Sequence, residues 1–150
     1  MARFIVTSMI LVAVSATTVQ GSTPPTGTRT FAYHANGKLA GWVRREGPRS
    51  WWASDGGNSS IYRDRKGGHG ITEGFHTFWY AWPASATRRN QYVVWEGPGR
   101  PERTSDTFLR VSPTRWNVLR AGQLTGYTKG PDGVAAALGF YMWGDELLPD

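Results

Sequence analysis

Cysteine is absent from all 150 residues. That absence removes disulfides, thiolate catalysis, iron–sulfur clusters and cysteine-based zinc sites together. Histidine is scarce, with three in the chain, so any imidazole-built site has few candidates. Lysine is almost as rare, and apart from Lys38, Lys66 and Lys129 the basic residues are all arginine. No apolar run reaches the ~20 residues that a membrane-spanning helix needs. Strong helix formers gather in one short segment near the C-terminus. No catalytic or cofactor motif rises above chance, and no cofactor is expected.

What is present divides the chain into three parts. Arg3 and the apolar run Phe4–Ala16, followed by small residues around Val14-Ser15-Ala16 and Val19-Gln20-Gly21, give residues 1–21 the grammar of a signal peptide rather than an uncleaved anchor. Residues 22–30 are a Thr/Pro/Gly stretch that reads as a flexible arm. Residues 31–150 are one β-rich domain, large enough to bury a substantial core. The product is expected to be secreted, extracellular or periplasmic, with no transmembrane segment in the mature form. Without disulfides such a domain is held by packing, and eight Trp, six Tyr and six Phe supply the bulk. Asn58-Ser59-Ser60 fits the N-glycosylation pattern, which matters only in a eukaryotic source.

Turn chemistry orders the domain. Asn36-Gly37 separates two short aromatic and β-branched runs, the strongest local hairpin signal, and Glu46-Gly47-Pro48 makes a second turn before Trp51-Trp52. Phe75–Trp82 and Gln91–Trp95 form another hairpin, and Thr107–Val111, Trp116–Arg120 and Leu124–Lys129 a third unit with an Ala121-Gly122 turn. Phe78, Tyr80 and Trp82 alternate with Trp79 and Ala81, so that strand is either covered on both faces or carries an exposed aromatic platform. Phe31, Tyr33, Gly37, Leu39, Gly41 and Trp42 echo Trp116, Val118, Gly122, Leu124, Gly126 and Tyr127 at a constant offset, as a duplicated or convergent hairpin would. Pro131-Asp132 opens a helix of at most three turns ending near Trp143. The fold expected is mainly β, a small antiparallel barrel or sandwich of hairpins with one short C-terminal α-helix packed against it or plugging an end.

Charge narrows the function class. A net +6 favours anionic partners, although a GC-rich genome produces the same arginine bias in any protein. Arginine and tryptophan interleave at Trp42-Val43-Arg44-Arg45 and Arg49-Ser50-Trp51-Trp52, so Trp42, Arg44, Arg45, Trp51 and Trp52 are the candidate binding residues. Planar rings beside guanidinium groups suit sugars and acidic groups, or the rings are simply core. His69, Glu73 and His76 form the other constellation, a possible divalent-metal or acid–base site, but 69 and 76 differ by an odd number and do not share one strand face. His34, Glu46, Asp55 and Glu96 are scattered without a spacing that demands pairing.

Residues 33–52 also resemble one copy of the choline- or glucan-binding repeat of bacterial surface proteins, in which a Gly-Trp pair and an aromatic doublet build cages between successive repeats. The resemblance implies a cage role for Trp42, Trp51 and Trp52. It is not followed by tandem copies, Pro48-Arg49 precedes the doublet, and the family is not assigned on it. The expectation is a small secreted binding protein that meets an anionic or carbohydrate polymer at a cell surface through Arg and Trp, with nucleic acid disfavoured by location. The alternative is a small secreted hydrolase using His69, Glu73 and His76, metal-dependent or not. The sequence leaves the oligomeric state open.

Overall fold

The computed structural model describes residues 24, 26–54, 59–97 and 102–143. The expected signal peptide, residues 22, 23 and 25 of the arm, and Asn58 of the acceptor pattern lie outside the described residues. Ten strands run in chain order: β1 (Thr30–His34), β2 (Leu39–Gly47), β3 (Ser50–Ala53), β4 (Ser59–Arg63), β5 (His69–Glu73), β6 (His76–Pro83), β7 (Gln91–Glu96), β8 (Glu102–Ser112), β9 (Arg115–Arg120) and β10 (Gln123–Lys129). Among the described residues a single helix, α1 (Gly133–Trp143), follows them.

Each strand pairs antiparallel with its sequence neighbour, and β10 returns to β1, with Phe31 opposite Lys129, to close a barrel. The architecture is therefore a barrel rather than a sandwich, and closure leaves no open sheet edge. The Asn36-Gly37 turn forms as its chemistry dictates. Gly37 sits at φ 85°, its N–H donates to the His34 carbonyl at 2.9 Å, and Asn36 Oδ1 accepts from the Lys38 N–H at 3.0 Å. At Ala121-Gly122 both residues have positive φ, 49° and 80°, the backbone of a tight hairpin turn. Asp106 Oδ1 accepts from the Ala121 N–H at 2.9 Å and secures that turn.

The helix occupies the barrel's interior. Ten strands enclose a wider lumen than the eight that side chains alone can fill. Gly133, Ala135, Ala136, Ala137 and Gly139 keep α1 slim enough to enter, and Val134 to Tyr141 are all buried. It packs against β1 to β6, β9 and β10. Apolar residues all round a helix are what full enclosure selects, in place of a one-sided stripe. The inward alternates Ala32, Val43, Ala53, Ile61, Ile71, Ala81, Val94, Phe108 and Val118 complete the core. Gly126 of β10 leaves room for Phe140, whose ring would stand 2.4 Å from an added Cβ. No helix among the described residues is long and apolar enough to cross a membrane.

Both ends of α1 are tied. At its start, the Asp132 N–H donates to Thr30 Oγ1 at 3.2 Å and Arg45 pairs with the Asp132 carboxylate at 3.0 Å. At its end, Arg120 donates to the Tyr141 carbonyl at 2.7 Å and lies 4.4 Å over the Tyr141 ring. A cation at the last carbonyls complements the negative end of the helix dipole. The Tyr141 hydroxyl donates to Asp106, and burial, then that carboxylate, push its ionisation well above the usual tyrosine range.

Candidate anion-binding end of the barrel

Because strand directions alternate, the β2–β3, β4–β5, β6–β7 and β8–β9 connections and the start of α1 all lie at one end. Arg49, Arg65, Lys66, Arg88 and Arg89 sit in those connections, and Arg29, Arg44, Arg45, Arg63, Arg110, Arg115 and Lys129 on the strand ends or the segment beside them. The described acids there are Glu46, Asp64 and Asp132, and each is engaged. Glu46 pairs with Arg44 at 2.5 Å, and Asp132 with Arg45. Asp64 accepts from the N–H groups of Lys66 and Gly68 at 2.7 and 3.0 Å and from the Tyr80 hydroxyl. Burial raises its carboxyl, but those donors outweigh it and hold it below the usual value. The opposite half carries Lys38, Arg103 and Arg120 against Glu73, Glu96, Glu102 and Asp106. The excess positive charge of the described residues is thus concentrated at one end.

Among the described residues three concavities open there: one of about 500 Å³ over Arg29, Arg44, Arg45 and Asp132, and two in which rings and cations meet. The larger of these two, about 660 Å³, runs over the outside of β6 to β8 from the β4–β5 and β6–β7 loops. Arg63, Arg65, Lys66 and Arg89 line it, with Arg103 reaching it from the far half and with Trp82, Tyr92 and Trp95, and no acidic residue does among the described residues. Tyr80 and Trp82 are stacked at its edge, centroids 5.7 Å apart at 19°. Gly68 lies so close beneath that an added Cβ would stand 2.2 Å from the Trp82 ring. The Trp95 indole N–H is buried and has no hydrogen-bond partner among the described residues.

The smaller concavity, about 230 Å³, is in the barrel mouth on the inner side of the wall. Arg45, Arg63 and Arg110 line it with the first turn of α1. Its wall is a row of rings: Trp51 to His69 at 5.5 Å, His69 to Tyr92 at 5.8 Å and Tyr92 to Trp116 at 5.5 Å. Arg45 lies 5.5 Å from the Trp51 ring. Burial, then the Arg63 charge, depress the His69 imidazole to about 4, against the opposing pull of Gly67, Asp64 and Asp132. His69 is therefore neutral at physiological pH.

The register separates the residues read from the sequence. Arg44 faces Trp52 and Arg45 faces Trp51 across β2 and β3, and successive side chains point to opposite sides of the wall. Arg45 and Trp51, 3% exposed, belong to the lumen, whereas Trp42, Arg44 and Trp52, 40% exposed, are outside. Trp42, Trp51 and Trp52 accordingly do not share a cage. His69, Glu73 and His76 are not brought together either. Glu73 pairs with the exposed His76 beside the β5–β6 turn, while His69 pairs with Ala81 at the other end of β5. No group of three potential metal-ligating residues occurs among the described residues. Sequence reasoning paired Arg88-Arg89 with Trp82 but missed Arg63, Arg65, Lys66, Arg103 and Arg110, whose grouping depends on strand order. No protein-family model, curated protein or solved structure matches the chain.

Proposed function

We propose that the chain is a small secreted binding protein for an acidic carbohydrate polymer, held in the outer groove at the basic end. The observation that carries this reading is a groove of about 660 Å³ with five cationic side chains, four of them at the basic end, and no acidic residue on its lining among the described residues. Guanidinium groups donate to carboxylate or sulfate oxygens in paired geometry. The stacked Tyr80–Trp82 pair and Trp95 offer flat faces to sugar rings, and the buried Trp95 N–H has no partner among the described residues. The apolar run Phe4–Ala16 supports export.

Titration with heparin and polygalacturonate, against neutral dextran, tests it at low and high salt. Binding should be confined to the acidic polymers and should weaken as salt rises, because neutralised charges release counterions. Arg65→Ala/Arg89→Ala should reduce affinity and flatten the salt dependence while changing stability by no more than about 0.5 kcal/mol, as expected of exposed side chains. Arg44→Ala, on the wall outside the groove and paired with Glu46, should do neither. Absence of low-salt binding to every acidic polymer would refute the proposal.

A further inference from the structure

We infer a second site in the barrel mouth: the cavity between Arg45, Arg63, Arg110 and the first turn of α1 binds a tetrahedral oxoanion, a phosphate or sulfate group. It goes beyond the outer groove, sharing only Arg63 and Tyr92 with it.

The charge in the mouth is out of balance. Three guanidinium groups line it against one carboxylate, and Asp132 is already engaged by Arg45 through contacts of 3.0 and 3.3 Å. The helix adds its own positive end, because peptide dipoles sum along α1 and terminate there. The two Arg110 contacts, 3.2 Å to the Ser112 carbonyl and 3.1 Å to the Pro113 carbonyl, fix its guanidinium at the β8–β9 turn without neutralising it. In a partly enclosed mouth such an excess attracts a counter-ion more strongly than it would in open water.

Unsatisfied polar atoms line the same space. The first intrahelical bond runs from the Ala136 N–H to the Asp132 carbonyl at 3.0 Å. The N–H groups of Gly133, Val134 and Ala135 find no acceptor among the described residues. Trp51 is 3% exposed, and its indole N–H has no partner among the described residues. Buried polar groups in folded proteins are almost always paired, so such a donor beside an open helix N-terminus marks a place where something else supplies the bond. A tetrahedral oxoanion presents oxygens to donors arriving from several directions at once. The two oxygens of a carboxylate serve that arrangement less well.

The test is calorimetric titration of the full chain with inorganic phosphate, sulfate and acetate at constant ionic strength. Phosphate and sulfate should bind saturably with one ion per chain, and acetate more weakly. Trp51→Phe keeps the ring and removes the N–H, and Arg110→Gln removes a cation; each should weaken the ion by about tenfold, the scale of one charge-assisted hydrogen bond. If Arg110→Gln fails to fold, Trp51→Phe decides alone. Arg65→Ala/Arg89→Ala, confined to the groove, should leave phosphate binding unchanged. The inference is overturned if phosphate does not saturate, if folded Trp51→Phe binds it as tightly as the unaltered protein, or if the groove variant loses it.

Discussion

Ending the chain after Gly130, so that α1 is not made, should abolish the cooperative unfolding transition. The inward side chains of the wall meet the helix, not one another, across much of the lumen. Ala32, Val43, Ile61 and Ile71 belong to one buried cluster with Val134 to Leu138, Phe140 and Tyr141. Without α1 that surface faces either water or a void, and both are costly. A milder form of the experiment is Leu138→Ala, which truncates a fully buried side chain and should cost ~2–5 kcal/mol. Gly126→Val, driven into Phe140 and the Tyr33 carbonyl, should destabilise more than Gly74→Val, where the open turn costs only backbone strain of ~1–3 kcal/mol. Thermal and denaturant melts read all of these. A sharp transition at the unaltered temperature in the truncated chain would mean that the barrel stands by itself.

Acid should weaken the protein through His69. Its imidazole falls from 6.5 in the unfolded chain to about 4 in the folded one. The unfolded state therefore binds the proton first, and stability drops as pH falls from about 6.5 to about 4. A shift of that size corresponds to about 3 kcal/mol, fully present above pH 6.5 and gone below pH 4. His34, lowered by burial and then by Lys38, acts in the same direction, so the comparison is made between the unaltered chain and His69→Gln. Subtracting the two stability curves should isolate a loss within that window. Equal pH dependence in the two proteins would place His69 in contact with water.

Much of the fold was legible because its signals are local. Asn36-Gly37, Ala121-Gly122 and the alternating runs around them need no distant partner, and Pro131-Asp132 followed by Val134–Leu138 announces the helix. The β5 strand was obscured by Gly70, whose small size accommodates the Tyr62 ring on the outer face. β8 begins earlier than its apolar pattern suggests, because pairing of Glu102 and Arg103 with Glu96 and Trp95 extends it through polar residues. Barrel closure has no local signature, since β1 and β10 are joined only by tertiary pairing. The hairpin echo also reads differently in three dimensions. Trp116 and Val118 face the lumen while Phe31 and Tyr33, their counterparts by offset, face outward, and a shift of one residue reverses every side chain. Phe78, Tyr80 and Trp82 are the outer face of β6, with Trp79 and Ala81 turned to the core.

The candidate site was legible in its chemistry and not in its address. Arginine and tryptophan were the residue types singled out, and they do line both concavities. Which arginines meet depends on alternating strand direction, which sends five connections, widely separated in sequence, to one end. Trp51 and Trp52 show the difficulty most plainly, as adjacent residues on opposite sides of the wall.

The central claim is that the basic end is the binding surface, and amide and indole NMR during titration with heparin tests it most directly. The account predicts shifts in the 64–68 and 84–90 loops and in the Trp82 and Trp95 indole signals, with the 121–122 turn at the far end unmoved. Shifts spread evenly over the barrel, or centred on the far end, would contradict it.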